Sequence, residues 1–178
     1  PQPLLPELAN HFGVSAANAT LSVSLGTFGL GIALLIAGPA TELWGRTPLM
    51  VGSLFSSSAV GIACAFAPSW EILLVLRGLQ GFTLAGLPAV ATAYLREEIH
   101  ASAASRATGL YIGGTAIGGM SGRLIVGTVA DLLDWRWATA TIGVVGLGCA
   151  LSVLLLVPRS RNFRPILARP RQILQLFA

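Results

Sequence analysis

The sequence predicts an all-α fold, a polytopic membrane helical bundle, and three observations predict it. Hydrophobic residues make up 54% of the 178-residue chain, charged residues only 10%, and the mean hydropathy is +0.76, values foreign to a water-facing domain of this size. The apolar residues gather into five runs of about 20 residues, the length that carries a helix across hydrocarbon. The 21 glycines fall largely inside those runs, where they let helix backbones approach closely in a solvent that offers no hydrophobic drive between them.

Taken in order, the opening Pro1-Gln2-Pro3-Leu4-Leu5-Pro6-Glu7-Leu8 reads as the outer end of a preceding helix whose apolar body is absent. The first full span runs from about Ala19 to Ala40, with Ser15 placed to cap a helix before it. The second starts near Pro48, suited to a first turn, and reaches about Phe66 before the turn Ala67-Pro68-Ser69-Trp70. The third covers Glu71 to Tyr94, with Pro88 inside it as the expected bend. The fourth runs from about Ala107 to Ala130 and the fifth from about Trp137 to Val157. After that an Arg-rich, Pro-broken tail reads as a linker, so residues 1–157 form the expected bundle and 158–178 a separate loop.

All 11 basic residues are Arg, and five of them lie in the last twenty positions, flanking a membrane segment rather than forming a nucleic-acid surface. Alternate loops divide unequally. Arg46, Arg96, Arg106 and the tail fall on one side and Arg136 alone on the other, which predicts a chain that starts outside and ends in the cytoplasm. Cys64 and Cys149 each sit mid-run and read as small buried hydrophobes.

Two arginines lie inside spans, and a guanidinium in hydrocarbon costs roughly 2.5–3.5 kcal/mol on insertion scales, so such residues face a polar interior and have a role. Arg77 and Arg123 are expected at similar depth, in one cavity, with Gln80, Thr83, Tyr111 and Thr115 as possible lining; snorkelling to the interface is the structural alternative. Apart from Glu71 at the outer end of the third, no acid lies within any span, so a countercharge must come from a loop, water, a bound anion or absent parts. Gly38, Glu42, Gly45 and Arg46 mark a tight reversal that can gate by exchanging charge partners between states. Gly114, Gly118 and Gly122 form a small-residue stripe for a neighbouring helix. The segment Gly38 to Arg46 is echoed by Gly127 to Arg136 three helices later on the opposite face, as an inverted repeat requires. No metal-binding, phosphate-binding or nucleophile motif is present, which leaves an enzyme, a metal or a cofactor nothing to build on.

These residues carry a resemblance. Gly38-Pro39-Ala40-Thr41-Glu42-Leu43-Trp44-Gly45-Arg46 resembles the signature Gly-x-x-x-Asp-Arg-x-Gly-Arg of the major facilitator superfamily of secondary transporters, with Glu42 for the Asp and Leu43 for a basic residue. Leu73 to Gly81 resembles the fourth-helix signature, in which Leu73, Arg77 and the pair Gln80-Gly81 match. Gly114 to Arg123 resembles the fifth-helix antiporter signature, with Gly119 in place of its Pro and Arg123 in place of its last Gly. The stretch Gly118 to Arg136 is most similar to a bacterial branch of inner-membrane efflux carriers.

The resemblance implies the amino-terminal six-helix half of that fold, holding the end of helix 1 and helices 2–6, with a carboxy-terminal half absent and the tail opening the central cytoplasmic loop. It implies proton-coupled efflux of a small solute by alternating access in the bacterial inner membrane. Arg77 and Arg123 would then serve proton coupling or substrate charge. Two rivals stay open at this point: an anion uniporter or symporter, and a non-transporting membrane scaffold.

Overall fold

The computed structural model describes residues 2–98 and 101–157, and within them the chain is helical with no strand. A short 3-10 turn, Gln2–Leu4, leads into α1 (Leu5–Phe12) and the single turn α2 (Ala16–Ala19). Then follow α3 (Leu21–Trp44), α4 (Arg46–Ala65), α5 (Trp70–Leu84), α6 (Gly86–Glu98), α7 (Ala101–Leu132) and α8 (Trp135–Leu156). The tail from 158 and its expected role lie outside the described residues.

Local chemistry sets the boundaries. Gly13 closes α1 at φ 63°, a left-handed conformation that costs glycine nothing. Ser15 caps α2, its hydroxyl accepting the Asn18 N–H at 3.2 Å as its position predicts. Gly45 alone joins α3 to α4 at φ 85°, so the chain reverses in one residue. Ser69 caps α5, and Asp134 caps α8 by accepting the N–H groups of Arg136 at 2.7 Å and Trp137 at 3.0 Å. The Asp134 cap starts α8 at Trp135, two residues before the apolar run begins.

Pro88 breaks the third span as expected, and the break falls one turn earlier than the ring. Proline has no N–H to donate to the Leu84 carbonyl, and the ring crowds that carbonyl. The helix therefore stops at Leu84, Ala85 bonds back only to Phe82 at 3.4 Å, and α6 restarts at Gly86.

Four segments are long and apolar enough to cross a membrane: Ala16–Ala37, Arg46–Ala65, Trp70–Leu95 and Trp135–Leu156. The fifth expected span lies in α7, which is 32 residues long and so has the length, but is not among the four. Its glycines and Arg123 dilute its apolarity, because a glycine adds backbone without adding hydrocarbon.

The helices pack in pairs, α3 along α5 and α4 along α8, with α4 also against α5 and α7 against α8. Glycine makes the first pair. A Cβ on Gly81 would overlap the Gly26 carbonyl, and one on Gly29 would overlap the carbonyl of Gly78, so backbone lies on backbone. In the second pair Gly143 and Gly146 accept Ile62 and Ser58 of α4, and Ser53, Ser57, Gly61 and Ala65, small residues four apart on α4, are buried.

At the α1 end, Leu4, Leu8, Cys64, Leu73, Val126 and Trp135 form a core with Phe12 and Trp70 against it. Glu7 fixes this core to α8 by accepting the Trp135 N–H at 2.7 Å, and the Arg136 guanidinium donates to the Ala65 carbonyl at 3.0 Å. At the other end Met50, Val90, Ala91 and Tyr94 form a second cluster. The outside is apolar: Leu35 is 72% exposed, Val75 70% and Leu155 73%, a surface that suits lipid and not water.

Candidate functional site around Arg77

Leu73, Arg77, Gln80 and Gly81 recur at helical spacing, so α5 turns one face inward and takes the arginine with it. Arg77 is 8% exposed. Its Nη1 donates to Gln80 Oε1 at 2.9 Å, one turn further along the same helix. The Gln80 amide in turn lies against Gly61 of α4, so close that a Cβ there would make the amide shift. Gln80 thus orients the guanidinium without neutralising it.

Arg77 and Gln80 line a cavity of about 310 Å³ walled by α3, α5, α7 and α8, with Leu4 at one end. Among the described residues no Asp or Glu lines it. Among the described residues two buried polar atoms have no partner, Arg77 Nε and Thr139 Oγ1, and both residues line this cavity. The other hydroxyls there are occupied: Ser22 donates to the Ala19 carbonyl at 2.8 Å and Thr27 to the Val23 carbonyl at 3.0 Å. The lining thus holds, among the described residues, a buried positive charge with one unpaired donor on α5 and one unpaired hydroxyl on α8.

The remaining predicted residues fall elsewhere. Arg123 is exposed and lines a neighbouring cavity of about 370 Å³ with Gly118, Gly119 and Gly122; the two cavities share Val23, Val126 and Ile142, so the arginines flank a common wall instead of meeting. Thr83 faces a third cavity beside Phe82 and Gly86, and its hydroxyl donates to the Leu79 and Gln80 carbonyls at 3.0 Å. Tyr111 packs against the Met50 cluster. Thr115 is exposed and donates to the Ile112 carbonyl at 2.7 Å. Of the four expected lining residues, only Gln80 shares the Arg77 cavity.

At the reversal between α3 and α4, Gly45 has the predicted special conformation and Arg46 is half-buried, while the surroundings of Gly38 and the side chain of Glu42 lie outside the described residues. The stripe Gly114, Gly118, Gly119 and Gly122 faces open space within the described residues, where a Cβ would meet nothing within 4 Å. Thr139 escaped the sequence reading, although its signal was present. Trp135, Ala138, Thr139, Gly143 and Ala150 recur at helical spacing and mark the buried face of α8.

A lipid-faced bundle of spanning helices enclosing a buried, uncompensated cation defines an integral, multi-pass membrane protein with a polar site inside the bilayer. The chain belongs to the Major Facilitator Superfamily, whose sequence model matches residues 1–176. It is 44% identical over 172 residues to the inner membrane transport protein YnfM of Escherichia coli (strain K12), covering 97% of this chain and 41% of that protein. It is 43% identical over 164 residues to the uncharacterized MFS-type transporter YybF of Bacillus subtilis (strain 168), covering 92% of this chain and 41% of that one. An uncharacterized transporter of Buchnera aphidicola subsp. Schizaphis graminum (strain Sg) is 36% identical over 165 residues, 93% of this chain and 40% of its own length. The chain thus spans about two-fifths of the length of these relatives, and all three are named as transporters rather than enzymes.

Proposed function

We propose that this chain forms part of a secondary transporter that moves a small solute by alternating access, exporting it in exchange for protons. One observation carries the reading: Arg77 is buried, oriented by Gln80 and uncompensated in a cavity inside the membrane. A fixed intramembrane charge is costly unless transport uses it, through the charge of a solute or through the protonation of a group that pairs with it. Arg123, in the adjoining cavity, serves a second charge on the same path. The reversal at Gly45 acts as a gate, with Glu42 and Arg46 exchanging partners between states. The start of the chain faces outward, and a further helical bundle from the remaining length of the protein covers the open glycine face of α7.

The test is flux in proteoliposomes with an imposed pH gradient. Arg77→Ala is expected to abolish gradient-driven transport while leaving membrane insertion unchanged; undiminished flux refutes the reading. That no acid stands among the described lining residues favours a second reading, anion uniport or symport, which predicts organic-anion flux that survives collapse of the proton gradient.

A further inference from the structure

We infer that the cleft between α3, α4 and the α5–α6 break is a binding site for an anionic phospholipid, which lays one acyl chain in the cleft and sets its headgroup beside Arg46. The inference goes beyond the transport reading and does not depend on it. The cleft has a volume of about 520 Å³ and shares no lining residue with the Arg77 cavity. It is closed where α6 restarts, because a Cβ on Gly86 would come 2.8 Å from the Ser53 Cβ, so α6 leans directly on α4. It is open along its side: Ile36 is 53% exposed, Phe82 is 43% exposed, and a Cβ on Gly52 would meet nothing within 4 Å.

The lining selects hydrocarbon. Among the described residues none that lines the cleft is charged, and its three hydroxyls are turned back on their own helices. Ser53 donates to the Met50 carbonyl at 2.9 Å, Ser56 to the Gly52 carbonyl at 2.7 Å and Thr83 to the Leu79 carbonyl at 3.0 Å. These hydroxyl hydrogens are used, so the cleft holds methylenes without leaving a donor unpaired. Its open side continues the apolar surface that faces lipid, where Leu35 is 72% exposed and Leu79 46%. The dimensions match one leaflet. From Pro48 to Ser56 α4 rises about 12 Å, against about 15 Å for half of the hydrocarbon core. The end at Pro48 lies two residues from Arg46, where the spanning segment of α4 begins. Arg46 and the positive end of the helix dipole place positive charge at that end, which favours the phosphate of a headgroup. A neutral apolar helix fills the cleft without using that charge, whereas an anionic phospholipid uses both. The acyl chain then braces the α5–α6 break, because Ala85 and Gly86 lie against it.

The experiment uses the intact protein, stripped of lipid in detergent, with phosphatidylglycerol as the probe. Phosphatidylcholine is its neutral counterpart and glycerol phosphate its headgroup without chains. Phosphatidylglycerol is expected to raise the melting temperature, phosphatidylcholine to raise it less, and glycerol phosphate to leave it unmoved. Gly52→Leu fills the cleft and abolishes the shift. Gly31→Leu adds the same side chain elsewhere on α3, where a Cβ also meets nothing within 4 Å, and keeps the shift. Gly52→Ala occupies less of the cleft and reduces the shift partway, which preserves the test if the leucine variant misfolds. Arg46→Gln raises the phosphatidylglycerol concentration needed for half the shift about fivefold and leaves the response to phosphatidylcholine unchanged. A phosphatidylglycerol shift that survives intact in both Gly52 variants overturns the inference, and so does a full shift produced by glycerol phosphate. No lipid shift in the unaltered protein, with Gly52→Leu strongly destabilised on its own, overturns it too, because another helix of the intact protein then fills the cleft. None of these readouts uses flux, so a failure of proton-driven transport counts against the transport reading alone.

Discussion

Gly29 and Gly31 lie two residues apart on α3 and offer a controlled measurement of how closely that helix approaches α5. An alanine at 29 places its Cβ against the Gly78 carbonyl and 3.3 Å from the Phe82 nitrogen, all backbone atoms that no rotamer change can move aside. An alanine at 31 meets nothing within 4 Å. Both substitutions gain the same helix propensity, about 1 kcal/mol over glycine, so their difference isolates the overlap. Overpacking costs about 1–3 kcal/mol, and a purely backbone obstacle puts this case at the upper end. At about 2–4 °C per kcal/mol for a chain of this size, Gly29→Ala should melt about 6–12 °C below Gly31→Ala. The buried thiol of Cys64 provides the readout, since a fluorescent maleimide reaches it only on unfolding, in a Cys149→Ser background that removes the exposed thiol. Equal melting temperatures for the two variants would refute the backbone contact and with it the α3–α5 wall of the cavity.

The same assay checks two further expectations, and amide exchange checks a third. Leu73→Ala removes a fully buried side chain from the core at the α1 end and should cost about 2–5 kcal/mol. Asp134→Ala takes the cap from two N–H groups at the start of α8; a loss of about 1 kcal/mol is expected, and no change in melting would mean that Glu7 alone secures that helix end. Pro88→Ala restores the missing donor and relieves the Leu84 carbonyl, so α5 and α6 should join, seen as slower amide exchange around Ala85; unchanged exchange there would show that something other than the proline breaks the helix.

Much of this architecture was legible in the residues because lipid imposes simple rules. Runs of apolar residues end where charge begins, and Ser15, Gly45 and Pro88 each act locally through their own backbone chemistry, so each does in the structure what its position predicts. The fourth span was harder to read, because glycines separate helix length from apolarity in α7. Partner choice was not legible at all. A stripe of small residues announces a close neighbour but does not name it: the α5 glycines meet α3, whereas the α7 glycines meet nothing within the described residues. The cavity was legible only in part for a related reason. Arg77 is conspicuous because a charge in an apolar run is expensive, while Thr139 satisfies every ordinary pattern of a packed helix and becomes notable only when its hydroxyl is found without a partner.

The glycine crossing between α3 and α5 also bears on how such a cavity can diversify. Where backbone rests on backbone there is no side chain to trim and no space into which a larger one can grow, so the crossing at Gly26 and Gly81 is closed to variation in size. A change in the cavity's volume must therefore draw on the side chains off the crossing, Val23, Leu30 and Leu84 on α3 and α5 and Val126 and Ile142 on α7 and α8. The crossing fixes how far apart α3 and α5 stand, and the side chains around it fix how much of the cavity is filled.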